Sequence, residues 1–186
     1  SVVYTPRMTP LATIAACDMP HGVKVNHAGT FVYVTCMNSD EVLEIDRRSL
    51  VITRRHQTGE GMGAMGMMGA PSAGPSRECS PTFVSLSADD RRLFVACNHG
   101  NLLQVLDAAT LALVKEIPTG SGAYNVEPSP DGRWVIVTNK KAQSVSLIAA
   151  DSLVEVARIP TTKRFPHGVA YSPDSRYAFI SQESIG

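Results

Sequence analysis

The stretch that decides the fold is Ser129-Pro130-Asp131-Gly132-Arg133-Trp134-Val135-Ile136-Val137-Thr138-Asn139, a tight polar turn running straight into a short apolar segment. Ser-Pro-Asp-Gly makes a turn because proline fixes φ, aspartate bonds its own backbone and glycine accepts a positive φ. Val135 to Thr138 is β-branched and too short for a buried helix, so it reads as a strand. The same sentence recurs along the chain. Asn26-His27-Ala28-Gly29 precedes Val32-Tyr33-Val34-Thr35-Cys36, Ser87-Ala88-Asp89-Asp90 precedes Leu93-Phe94-Val95-Ala96-Cys97, and a fourth turn appears as Ser172-Pro173-Asp174-Ser175. A second apolar run follows each of the first three, at Val42 to Asp46, Leu103 to Asp107 and Val145 to Ala149, and a further strand follows at Leu113 to Ile117 and Val154 to Ile159.

Spacing turns this recurrence into an architecture. Asn139 follows Cys97 by 42 residues and Asp174 follows Asp131 by 43, whereas Cys97 follows Cys36 by 61. The first full unit therefore carries about 19 extra residues, which fall in the Met/Gly-rich stretch 59–79. A repeat of about 40 residues with four antiparallel strands cannot bury both faces of its sheet alone and packs against copies of itself around an axis. The expectation is an all-β fold, a β-propeller of four-stranded antiparallel blades. It amounts to about four blades' worth and reads as an excerpt of a larger ring. Residues 1–19 end one blade, 20–79 form a blade with the insertion, 80–122 and 123–164 form two more, and 165–186 start another.

Composition limits the functions open to such a chain. Seventeen basic and seventeen acidic residues cancel among 186, and the basic pairs are scattered, so no nucleic-acid surface is expected. No apolar run approaches the roughly 20 residues of a membrane span. The 44% apolar content suffices for a core.

The motifs Tyr33-Val34-Thr35, Val137-Thr138-Asn139, Ser129-Pro130-Asp131-Gly132 and Pro166-His167-Gly168-Val169 resemble the YVTN family of propeller repeats over essentially the whole chain outside the insertion. That resemblance implies rings of about seven blades and a periplasmic or extracellular location. It leaves function open, since the repeat serves in surface-layer proteins, lactonase-like proteins and the propellers of periplasmic reductases.

The insertion contains Gly61-Met62-Gly63-Ala64-Met65-Gly66, the G-x-G-x-x-G of a dinucleotide loop. Such a loop needs a helix after it, and Pro71, Gly74 and Pro75 break the segment that would have to be one. It reads instead as a long connection between blades, placed on the rim that also carries the starts of the inner strands. His21 and His167 begin inner strands in the paired motifs Pro20-His21-Gly22-Val23 and Pro166-His167-Gly168-Val169, and Asn38 and His99 sit in turns between second and third strands. These four are the expected ligand-binding rim, serving a small molecule or a protein partner. A bland reading stands beside it, because a Pro-x-Gly turn forms whatever occupies its middle.

The second functional reading is a copper- or haem-dependent oxidoreductase propeller, with His21, His167, Met62 and Met65 as candidate ligands; imidazole and thioether favour copper over magnesium or calcium. The Pro-His-Gly-Val motif resembles one at the rim of nitrous oxide reductase, where histidines hold copper, and the haem-bearing propeller of nitrite reductase uses histidines in the same region. Thr82 and Tyr124 occupy the equivalent positions in the middle repeats and interrupt the ring of histidines. A third reading is a surface-layer structural protein. Cys17, Cys36, Cys79 and Cys97 recur in step with the blades, either as two disulfides in an oxidising compartment or as four half-buried thiols. No motif of a hydrolase, zinc protease or nucleotide phosphatase is present.

Overall fold

The computed structural model describes residues 1–59 and 78–183. Within them the chain runs through sixteen strands: β1 (Val2–Tyr4), β2 (Thr9–Ala12), β3 (Pro20–Val25), β4 (Phe31–Cys36), β5 (Glu41–Asp46), β6 (Ile52–Gln57), β7 (Pro81–Leu86), β8 (Arg92–Cys97), β9 (Leu102–Asp107), β10 (Leu113–Pro118), β11 (Ala123–Pro128), β12 (Trp134–Asn139), β13 (Ser144–Ala149), β14 (Val154–Pro160), β15 (Pro166–Tyr171) and β16 (Ala178–Gln182). Three complete sheets run from inner to outer strand as β3-β4-β5-β6, β7-β8-β9-β10 and β11-β12-β13-β14, flanked by the pairs β1-β2 and β15-β16, all antiparallel. Inner strands stack blade to blade, β3 on β7, β7 on β11 and β11 on β15. This is the propeller arrangement expected from the repeat. Among the described residues no helix is long and apolar enough to cross a membrane.

Burial explains why the sequence pattern looks as it does. A middle strand lies between two neighbouring sheets and is covered on both faces, so β8 and β12 are buried along nearly their whole length. An outer strand is covered on one face only, so β6 alternates between partly buried and exposed positions with the period of two of a strand. The cores sit between blades. Phe94, Leu103 and Val105 meet Ile117, Val126, Val135 and Ile148 at one junction, and Tyr33 and Val42 meet Val84, Leu86, Leu93 and Leu106 at the other.

The polar turns lock themselves. Ser129 Oγ donates to Asp131 Oδ1 at 2.6 Å and accepts from the Trp134 amide at 3.0 Å, and Gly132 takes φ of 71°. Hydrogen bonds from Ser129, then from the Arg133 backbone and side chain, pull the Asp131 carboxyl down to about 2. Ser87 with Asp89 and Ser172 with Asp174 repeat the same bonds.

Two further devices fasten the blades. Glu44, 1% exposed, accepts from Tyr33 Oη at 3.1 Å, Thr53 Oγ1 at 2.7 Å and Arg54 Nε at 2.8 Å, while Arg54 also donates to the carbonyls of Ala108 and Ala109 in the next blade. Disulfides join Cys17 to Cys36 and Cys79 to Cys97, across 19 and 18 residues, each tying the lead-in of an inner strand to the end of its neighbour. Of the two cysteine states open from sequence, the structure has the disulfides, and no described thiol is free.

Candidate functional site

Every inner strand carries one irregularity at the same place. The register between inner and second strands shifts between Pro20 and Val23, Pro81 and Val84, Ala123 and Val126, and Pro166 and Val169. A β-bulge releases residues from the ladder and re-aims their side chains, which is why bulges gather at functional rims. Here the released pairs are His21-Gly22, Thr82-Phe83, Tyr124-Asn125 and His167-Gly168.

The bulges are held by a set of hydroxyls near the ends of the second strands. Thr35 Oγ1 accepts from the Gly22 amide at 2.8 Å and donates to the Thr82 carbonyl, in the next blade, at 2.7 Å. Thr138 does the same between the Asn125 amide (2.9 Å) and the His167 carbonyl (3.0 Å). The second blade has Ala96 at that position, and there Thr82 Oγ1 reaches the Tyr124 carbonyl at 2.5 Å instead. The released pairs of β7, β11 and β15 are thus anchored partly by the blade before, and His21-Gly22 by its own blade and the next.

What these anchors present is an aromatic mouth. His21 and Phe83 meet edge to face with ring centroids 5.1 Å apart, Phe83 and Tyr124 are 5.5 Å apart, His21 and Tyr124 5.6 Å, and Tyr124 and His167 4.5 Å. His21 Nδ1 lies 2.9 Å from the Thr82 carbonyl, which fixes the proton on Nδ1 and leaves Nε2 as an acceptor, 3.3 Å from Tyr124 Oη. Lys140 Nζ sits 4.7 Å from the Tyr124 ring centroid and 3.0 Å from Glu183 Oε2, while Glu183 Oε1 is 3.4 Å from His167 Nε2. Burial pushes the His167 imidazole below its ordinary value, against Glu183, which raises it, and together with Lys140 and His21, which lower it. Lys140 in turn holds the Glu183 carboxyl down.

The residues singled out from sequence divide accordingly. His21 and His167 come together around Tyr124, so the position that interrupts the histidine ring completes the mouth. Asn38 and His99 have other partners: Asn38 Nδ2 donates to Asp18 Oδ2 at 3.3 Å and His99 Nδ1 lies 3.2 Å from Glu78 Oε2. Met62 and Met65 lie outside the described residues. The four cysteines are spent in disulfides, so they offer no thiolate. His27, on the opposite rim, has a bond to Asp90 at 2.6 Å. Sequence reading missed Phe83, one residue beyond the position aligned with His21, and Lys140 and Glu183, each just past the end of a second strand.

The stacked four-stranded blades, with a bulged, aromatic rim that carries two imidazoles, define this molecule as a sector of a β-propeller. The chain belongs to the cytochrome D1 heme domain family, which matches residues 80–183. That match includes Phe83, Tyr124, Lys140, His167 and Glu183 and begins after His21. Comparison with curated protein sequences finds no match. Among solved structures, the hydrazine synthase of Kuenenia stuttgartiensis is similar at a TM-score of 0.76 and 18% identity, over 90% of this chain and 43% of that one. The dihydro-heme d1 dehydrogenase NirN, solved in complex with DHE, is similar at 0.69 and 21% identity, over 97% of this chain and 36% of that one. A streptogramin B lyase is similar at 0.69 and 13% identity, over 91% and 50%. The chain spans half or less of the length of these proteins, and at such identities the likeness shows the propeller alone.

Proposed function

We propose that this chain is the histidine-bearing sector of a haem-binding propeller and that its mouth takes a haem-type tetrapyrrole. The observation that carries the reading is the placement of two imidazoles on either side of Tyr124, in a member of a haem domain family. The donor set fits the group. Among the described residues the mouth presents two imidazoles, His21 and His167, on either side of Tyr124. A tetrapyrrole brings four nitrogens of its own, so a single imidazole from the protein would suffice to hold it.

His21 supplies that imidazole. Its Nδ1–H to the Thr82 carbonyl is the outer bond that orients a ligating histidine and raises the basicity of Nε2. Tyr124 Oη lies 3.3 Å from the same Nε2 and would have to turn aside for that nitrogen to act as a ligand. Phe83 and Tyr124 offer apolar ring surface to a flat ligand and exclude water from it. His167 turns Nε2 towards the Glu183 carboxylate, and burial lowers its basicity, which favours the neutral imidazole at the mouth. When bound, the group would supply one-electron chemistry. Two disulfides support an exported protein folding in an oxidising compartment.

Titration of the 186-residue chain with ferric haem and with haem d1, followed by the Soret band, tests this. The expected result is saturable binding that His21→Ala abolishes spectroscopically and His167→Ala preserves with an altered pH dependence. Unchanged spectra in His21→Ala would remove His21 as the ligand, and no binding at all would return the mouth to a scaffold role.

A further inference from the structure

A closed circuit of hydrogen bonds runs around His21. The Gly22 amide, next to it in the chain, donates to Thr35 Oγ1 at 2.8 Å. Thr35 Oγ1 donates to the Thr82 carbonyl of the next blade at 2.7 Å, and that carbonyl lies 2.9 Å from His21 Nδ1. The direction of every bond is forced. An amide nitrogen only donates, so Thr35 Oγ1 accepts there and keeps its single proton to give away. The other acceptor within its reach, the Gly22 carbonyl, is 3.4 Å off and loses to the Thr82 carbonyl. A carbonyl only accepts, so His21 must bring the proton on Nδ1. The circuit therefore leaves Nε2 bare, on the side of Tyr124 Oη.

Thr35 is the member of the circuit that controls the rest. Thr82 falls within the register shift between Pro81 and Val84, outside the paired residues of β7 and β8, so the strand ladder does not aim its carbonyl. The hydroxyl of Thr35 does. Thr35 and Thr82 are both fully buried, and a carbonyl oxygen has two lone pairs, here taken by Thr35 and His21. One hydroxyl thereby holds both ends of one imidazole, the peptide that carries it and the acceptor that its ring faces. Thr138 and Ser181 make the amide half of this circuit in their own blades, accepting from Asn125 at 2.9 Å and Gly168 at 2.9 Å. At Thr35 the circuit closes through an imidazole.

We propose that Thr35 is a positioning residue for His21, setting the tautomer and bearing of the imidazole through the Thr82 carbonyl so that Nε2 is the nitrogen presented at the mouth. This role rests on the reading of His21 as the ligand to a haem-type tetrapyrrole, and its first test needs no haem. Imidazole nitrogen chemical shifts are measured by NMR on the haem-free chain, in buffer alkaline enough to read the neutral ring. They are expected to show His21 protonated at Nδ1 in the parent and in Thr35→Ser, and a mixture of the two tautomers in Thr35→Val. In haem titration Thr35→Val is expected to bind about 10- to 100-fold more weakly than the parent, with a displaced Soret band, and Thr35→Ser to recover most of the loss. His21 protonated at Nε2 in the parent overturns the proposal with no variant needed, which decides the matter if Thr35→Val does not fold. Parent-like nitrogen shifts or parent-like haem affinity in Thr35→Val, or a Thr35→Ser protein that behaves as Thr35→Val, overturn it too. Expected nitrogen shifts in a parent that binds no haem would remove the haem reading and uphold the hold of Thr35 on His21.

Discussion

Gly22 and Gly168 occupy the same place in two copies of Pro-His-Gly-Val, yet alanine at the two positions is expected to behave very differently. A Cβ on Gly22 would stand 2.6 Å from the Thr82 carbonyl oxygen, 2.9 Å from Phe83 Cα and 2.9 Å from Thr35 Oγ1. Two of those neighbours are backbone of the next blade and cannot rotate away. The Thr82 carbonyl also receives Thr35 Oγ1 and His21 Nδ1, so moving it disturbs both bonds. Overpacking a rigid site costs about 1–3 kcal/mol, two weakened hydrogen bonds add about 1 kcal/mol each, and the reduced freedom of the unfolded chain returns about 0.5–1 kcal/mol. Gly22→Ala is therefore expected to lose about 2–4 kcal/mol. A Cβ on Gly168 meets one atom, Ser181 Oγ at 2.9 Å, the end of a side chain that can turn, so Gly168→Ala stays within about 1 kcal/mol of the parent. Equilibrium unfolding in urea, with the slope held common, measures both, and haem titration of Gly22→Ala reports whether His21 has lost its bearing. Equal costs at the two glycines would refute the claim that the close approach of the next blade at Gly22 fixes the mouth.

Three further outcomes can be checked. Although burial pushes the Glu44 carboxyl up, hydrogen bonds from Arg54 and Thr53 outweigh it and hold the group below its usual 4.5. Its contribution is fully present above that value and is lost as pH falls through the lower folded one. Glu44→Gln should cost about 2–3 kcal/mol at pH 7, the low end for a buried pair because Arg54 is 31% exposed, and the gap in melting temperature to the parent should close towards pH 3. Lys140→Met should raise the His167 titration midpoint seen by NMR, since it removes a cation that lowers it and frees Glu183 to raise it; a fall would contradict the geometry. Reducing the disulfides should destabilise the fold by about 3 kcal/mol for each loop of this size, visible as a lower melting temperature with reductant; no change would show that the bonds constrain little.

The propeller was readable in the sequence because its two strongest signals are local. The turn Ser-x-Asp closes its own bonds within six residues, and strands covered on both faces write burial as an unbroken apolar run, as from Leu93 to Cys97. The insertion followed from counting. The mouth was half readable: the Pro-His-Gly-Val pair marks His21 and His167, and alignment of repeats picks out Tyr124. It cannot pick out Phe83, because the bulge turns out two adjacent residues and the second blade uses the other one. Lys140 and Glu183 were hidden for a different reason. They lie one residue past their strands, in turns whose composition is that of any surface, and only the stacking of β11 and β15 brings them to one histidine. The YVTN motifs were informative at the level of architecture, and the family that matches is the haem domain.

The threonine ties also bear on how such a chain can change over time. Thr35 reaches Thr82, and Asp40 Oδ1 receives the Ser80 amide at 2.6 Å, so two bonds clasp the junction between the first and second full blades from residues on either side of the insertion. Closing a longer loop costs only about 0.6 kcal/mol for each doubling of its length. With the clasp made elsewhere, that connection is free to grow, shrink or change its composition while the rings at the axis keep their spacing, so variety between relatives can accumulate at this seam without disturbing the stacking of the blades.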